Sequence, residues 1–82
     1  MLVEVYTQPN CLPCQGVKRA LRKADIRFAE RNVQTDELAL AEVRRLGYQS
    51  TPVVKAVIDG ETVHFDGYRP DSIEALVYSI KG

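Results

Sequence analysis

The sequence predicts an α/β fold in which a four-stranded mixed sheet, strand order 2-1-3-4, is flanked by three helices. Three observations carry that reading. Apolar residues change period along the chain in the order strand, helix, strand, helix, strand, strand, helix. Asp59-Gly60, between two apolar runs, is a two-residue hairpin signal. The only two cysteines, in Cys11-Leu12-Pro13-Cys14, fall where the first strand gives way to the first helix. A right-handed β-α-β unit makes strands one and two parallel, and the hairpin then adds an antiparallel pair beside strand one.

Length and composition bound what such a chain does. Eighty-two residues make one expected domain, 1–82, near the lower end of what folds alone. A hydrophobic fraction of 45% is ordinary for a globular domain, so a real core is expected. Eleven basic and eleven acidic residues cancel, which leaves no overall field to favour nucleic acid or an anionic membrane. No stretch has the pattern of a signal peptide, and none approaches the roughly 20 apolar residues that cross a bilayer. The expectation is a soluble, cytoplasmic protein with no repeat and no interdomain linker.

Met1 to Tyr6 is short and rich in β-formers, hence a strand, interrupted by Glu4 as an exposed position or a carboxylate with a partner. Thr7-Gln8-Pro9-Asn10 is a loop by its chemistry. From Leu12 to Ala24, the residues Cys14, Val17, Ala20, Leu21 and Ala24 recur at three- and four-residue spacing against a basic face, the pattern of an amphipathic helix. Pro13 sits in its first turn, where a missing N–H costs nothing. Gly16 costs about 1 kcal/mol against alanine in a helix, which points to the close approach of a neighbouring element.

Asp25 closes that helix, and the alternation from Ile26 to Val33 predicts a second strand. Thr35 or Asp36 caps the next helix, Leu40, Val43 and Leu46 with Ala39 form its apolar stripe, and Gly47 stops it. Val53 to Ile58 and Glu61 to Phe65 are the two arms of the hairpin. Pro70 opens a last helix whose Ile73, Leu76, Val77 and Ile80 match the i, i+3, i+4, i+7 template.

Two residues between the cysteines place both thiols on the first turn of a helix, close enough to join as a small disulfide loop. The pair has three conceivable uses: storing electrons, holding a metal or filling space as small hydrophobes. In a reducing compartment a lone C-x-x-C is more often catalytic or metal-binding than structural. A cysteine at a helix N-terminus meets unpaired N–H groups and the positive end of the helix dipole, so its thiol pKa falls from about 8.5 toward neutrality. Cys11, nearest the loop, then attacks a partner disulfide, and Cys14, one turn inward, resolves the mixed disulfide. Lys18, a further turn along, is a candidate for tuning the thiol pKa. Zinc wants four ligands, and beyond the cysteines the chain offers only His64 and carboxylates without fitting spacing, so no metal site is expected in one chain. A dimer could still assemble four cysteines around zinc or an iron–sulfur cluster.

Tyr6-Thr7, Pro9, Cys11 and Cys14, then Lys18-Arg19-Ala20-Leu21, Thr51-Pro52-Val53-Val54 and Gly67-Tyr68-Arg69-Pro70 together make a pattern that resembles the NrdH-redoxins. These are glutaredoxin-sized proteins of the thioredoxin fold, and the resemblance runs from Met1 to about Ile80. It implies a monomeric dithiol redoxin, without a cofactor of its own, that is reduced by thioredoxin reductase and donates electrons to the large subunit of class Ib ribonucleotide reductase. No nucleic-acid or membrane partner is implied. The resemblance also makes Pro52 a cis-proline that sets the Thr51 backbone against the cysteines, ready to pair with an extended incoming chain. Tyr6, Thr7 and Tyr68 then line the same groove, with Gly67 beside it, and Arg69 either anchors the last helix or meets a partner carboxylate.

Glutaredoxins usually carry a lysine three residues before the first cysteine and a Gly-Gly-acidic segment near the last helix, both of which hold glutathione. Gln8 and Gly67-Tyr68-Arg69 stand at those places, so the glutathione cradle is expected to be missing. Compared with the NrdH-redoxins themselves, Phe65 replaces a tryptophan and Asp66 a serine. A glutathione-dependent glutaredoxin and a metal- or cluster-binding dimer are the alternatives to a dithiol reductant of proteins.

Overall fold

The computed structural model describes residues 1–82. Seven elements follow one another: β1 (Leu2–Thr7), α1 (Leu12–Lys23), β2 (Ala29–Asn32), α2 (Glu37–Arg45), β3 (Val53–Ile58), β4 (Glu61–Asp66) and α3 (Pro70–Lys81). They build the thioredoxin-like fold expected from the sequence, with the four strands in the order β2-β1-β3-β4. β1 pairs parallel with β2 and antiparallel with β3, and β3 pairs antiparallel with β4 across Asp59-Gly60. Both turn residues have positive φ, 52° and 82°, as a tight hairpin turn of this kind requires. No helix is long and apolar enough to cross a membrane.

Alternation along the central strands divides the core in two. Val3, Val5, Val54 and Ala56 meet Val17 and Leu21 of α1 and Ile73 and Leu76 of α3 on one face. Tyr6 and Val53 point the other way and meet Ala39 and Val43 of α2. The molecule is therefore three-layered, and α1, whose N-terminus carries the cysteines, is fixed by its buried stripe of Cys14, Val17 and Leu21. Gly16 leaves the room that its cost in helix propensity suggested: a Cβ there would stand 3.2 Å from the Tyr68 ring, which lies across that turn.

Several boundaries shift by a residue, such as β4 running on to Asp66, and two differences from the sequence reading have a clear physical reason. Thr7 belongs to β1 rather than to the loop, because its place in the parallel ladder is filled by Asn32 and its hydroxyl finds a carboxylate, Glu30. β2 is shorter than expected, because it is an edge strand and only Ala29–Asn32 face Glu4–Thr7. Ile26 instead finishes α1: Asp25 turns the chain at φ 59°, and the Ile26 N–H donates to the Leu21 carbonyl at 2.9 Å, which puts the side chain in the first core cluster. Glu4 proves to be a partnered carboxylate, 3.1 Å from Arg31, and of the two possible caps on α2 it is Asp36 that accepts the Ala39 N–H.

Glu42 ties α2 to the sheet, accepting from Arg45 at 2.7 Å and from Lys55 of β3 at 2.6 Å. The Arg45 hydrogen bond, then that of Lys55, pulls its carboxyl from the ordinary 4.5 down to about 2. A folded-state pKa below the unfolded one gives stability that is full above about pH 4.5 and is lost as pH falls through about 2. Glu42→Gln is expected to cost about 1 kcal/mol at pH 7 and to flatten the loss of stability between those two pH values, as read by denaturant unfolding at each pH.

Candidate redox site

The end of β1 and the loop Gln8–Asn10 deliver the chain to Cys11, with Asn10 in the left-handed region at φ 60°. Cys11 is the N-cap of α1: its backbone is extended, and its sulfur accepts the Cys14 N–H at 3.1 Å. That N–H is one of the first-turn donors a helix leaves without an intrahelical partner, so the sulfur takes the place usually held by a serine or aspartate oxygen. Cys11 and Cys14 are joined as a disulfide, with Cα atoms 5.2 Å apart. Cys11 is 8% and Cys14 2% exposed, so both are buried and Cys11 is the more accessible of the two. Leu12, between them, is largely exposed to solvent.

From a distant part of the chain, Thr51 and Pro52 close over the pair. The Thr51–Pro52 peptide is cis, and the Thr51 hydroxyl lies 3.7 Å from the Cys11 sulfur. Neither the N–H nor the C=O of Thr51 makes a backbone hydrogen bond, which leaves an unpaired edge next to the disulfide. The Pro52 carbonyl accepts the Gly67 N–H at 2.8 Å, and Gly67 adopts φ 77° to make that turn. The segments around 51 and 67 are thereby fixed to each other.

Behind the cysteines, Lys18 is not simply solvated. Its ammonium donates to Glu30 Oε2 at 2.8 Å, and the Thr7 hydroxyl donates to the same oxygen at 2.9 Å. The Lys18 hydrogen bond is the main cause that holds the Glu30 carboxyl below the usual carboxylate range. These three side chains and both cysteines border one small cleft of about 190 Å³. Glu30 is the member that sequence reasoning missed. Its only signal was an acidic residue in an edge strand, and nothing in the spacing tied it to Lys18.

Among the other residues singled out, Tyr6 does not line a groove. It is fully buried under α2, with its hydroxyl 3.4 Å from Glu4 and Arg31 over its ring. Burial first, and the Glu4 charge second, push its phenol up to about 12, so it is a core residue. Thr7 backs the cleft rather than facing solvent. Tyr68 is half exposed and covers Gly16 on the flank of α1. Arg69 turns back onto Asp66, donating to its carbonyl at 2.7 Å and meeting its carboxylate at 3.3 Å. Phe65 packs on the first core cluster, which keeps the aromatic anchor expected there. A separate open groove of about 640 Å³ runs from Thr51 and Gln8 along Val33, Leu40, Val43 and Arg44 of the α2 layer, and was not foreseen. His64 is exposed and shares a 2.8 Å hydrogen bond with Tyr48, away from the cysteines. No three His, Cys, Asp or Glu side chains come together as a metal-binding group.

The family model for glutaredoxin matches residues 3–63, which take in the cysteine pair, Lys18 and Thr51-Pro52 but stop short of Gly67-Tyr68-Arg69-Pro70. The glutaredoxin-like protein NrdH of Salmonella typhimurium is 34% identical over 76 residues, covering 93% of this chain and 89% of that one. Its counterpart in Lactococcus lactis subsp. cremoris is 29% identical over 75 residues, covering 92% and 99%. The solved NrdH-redoxin of Escherichia coli superposes with a TM-score of 0.81 at 33% identity, over 93% of this chain and 95% of that one.

In the reduced protein, the Thr51 hydroxyl is placed to donate to a Cys11 thiolate, and a bond to the charged form lowers a pKa. Thr51→Val keeps the shape and removes the donor. It is expected to raise the Cys11 pKa by about 0.5 to 1 unit, the equivalent of one modest hydrogen bond, in the pH dependence of alkylation.

Proposed function

The chain belongs to the glutaredoxin family and has its thiol–disulfide redox chemistry, and from that premise we propose that it is an NrdH-type electron donor to protein disulfides. Its client is the large subunit of class Ib ribonucleotide reductase, and its own reductant is thioredoxin reductase. The observation that carries the reading is the dithiol pair capping α1 beside the unpaired Thr51 edge, with no lysine at position 8 to receive glutathione. The likeness to the Escherichia coli NrdH-redoxin, a protein described as having a thioredoxin-like activity profile, supports the same choice of reductant.

The chemistry follows from the geometry. A client strand pairs with the Thr51 N–H and C=O in extended form and brings its cystine to Cys11. The Cys11 thiolate attacks one client sulfur; a bond forms between the two, and the other client sulfur leaves as a thiolate that takes a proton from solvent. Cys14, deprotonated in turn, attacks the Cys11 sulfur. The intramolecular disulfide forms, and the second client thiolate departs. Two electrons have moved to the client. In this reading Thr51, Pro52 and Gly67 set the docking edge, Lys18 lines the cleft behind the cysteines, and Tyr68 and Arg69, next along the chain, border the approach.

The test follows NADPH consumption by the oxidised protein in the presence of thioredoxin reductase, or of glutathione with glutathione reductase. Turnover is expected in the first system, with a Cys14→Ser variant trapped as a mixed disulfide through Cys11. Turnover confined to the glutathione system would replace the reading with a glutathione-dependent glutaredoxin.

A further inference from the structure

We propose that Glu30 is a positioning residue for the cysteine pair: it fixes the Lys18 ammonium in the cleft that Cys11 and Cys14 also line, cancels its charge, and so keeps the dithiol strongly reducing. The inference rests on the dithiol reading of the site and adds to it a residue that sets the site's potential.

The cleft behind the disulfide is bordered by ten residues, and Lys18 and Glu30 are the only formally charged side chains among them. Lys18 stands four residues beyond Cys14 on α1, hence on the same helix face one turn away. Glu30 comes from the edge strand, opposite Val5 of β1. One carboxylate oxygen, Oε2, accepts both the Lys18 ammonium at 2.8 Å and the Thr7 hydroxyl at 2.9 Å. Thr7 is 3% exposed, so this oxygen is pinned by a group that is itself buried. Lys18 in turn is pinned by the oxygen. Glu30 is held below the usual carboxylate range and stays anionic wherever thiols titrate.

Charge decides the consequence. An isolated ammonium beside a thiol stabilises the thiolate and lowers its pKa. Because a thiolate exists only in the reduced form, that would make the disulfide easier to reduce and the dithiol a weaker reductant. A carboxylate at hydrogen-bond distance from the ammonium sets an opposite charge in the same cleft, and the field of the pair at the sulfurs is that of a compact dipole rather than of a lone cation. Reduction of the disulfide takes two electrons and two protons to give two thiols. What remains to bias the thiolate is the helix N-terminus and the Thr51 hydroxyl. Removing either member of the pair leaves one net charge in the cleft, and the two removals leave charges of opposite sign.

The experiment measures the Cys11 pKa by the pH dependence of iodoacetamide alkylation of the reduced protein, and the disulfide exchange equilibrium against dithiothreitol. Glu30→Gln is expected to lower the pKa by about one unit. Measured at a pH above the Cys11 pKa, the same change should make the disulfide about tenfold easier to reduce, equivalent to about 30 mV for a two-electron couple, and the difference should shrink as the pH falls below that pKa. Lys18→Gln is expected to move both quantities the opposite way, and the double variant to return near the wild type. Glu30→Thr, suited to an edge strand, serves if Glu30→Gln does not fold. Unchanged values in the Glu30 variant, or shifts of the same sign in the Glu30 and Lys18 variants, would overturn the proposal, since general loosening of the site has no reason to reverse sign with charge. A wild-type protein that does not cycle between disulfide and dithiol in dithiothreitol would overturn the dithiol reading itself, a result distinct from either.

Discussion

The hydrogen bond from the Cys14 N–H to the Cys11 sulfur is the contact on which the site depends. It makes the same atom the cap of a helix and the attacking sulfur of the proposed mechanism. As a cap, the sulfur satisfies a first-turn donor. As a thiolate, it would receive that donor as a charge-assisted bond at the positive end of the helix dipole, where negative charge is favoured. Reduction therefore strengthens a contact already present in the oxidised state, and the site needs no rearrangement to hold the nascent charge.

The fold exists around this contact in a specific sense. Two core clusters on opposite faces of the sheet hold β1 between α1 and α2, so the end of β1 and the start of α1 are fixed together. β3 lies antiparallel beside β1, which brings Thr51 and Pro52, just before its start, to the end of β1 where the cysteines lie. The Gly67–Pro52 hydrogen bond extends that constraint to the entry of α3. Segments far apart in sequence are thus brought together at the disulfide by backbone geometry, with the Thr51 hydroxyl as the side chain that meets the Cys11 sulfur.

Much of this was legible in the sequence because it follows from local rules. The period of Val17 and Leu21, the Asp59-Gly60 turn and the Pro70 start of α3 specify elements from neighbouring residues alone, and the right-handed crossover rule with the hairpin yields the sheet order. The cis Thr51–Pro52 peptide came from resemblance, since propensity favours trans. What stayed hidden depends on register across the sheet. Whether Ile26 continues a strand or finishes a helix depends on where β2 begins to pair, and Tyr6 reads as easily toward a groove as toward the core until α2 is placed over it. The Lys18–Glu30–Thr7 contact joins three elements, and no spacing along the chain encodes it.

The most direct measurement is the pKa of Cys11 in the reduced wild-type protein, read from the pH dependence of its alkylation rate. A sulfur that caps α1 and lies beside the Thr51 hydroxyl is expected to titrate well below the free-cysteine value of about 8.5, toward neutrality. A Cys11 pKa at or above that value would contradict the claim that the helix N-terminus activates this thiol.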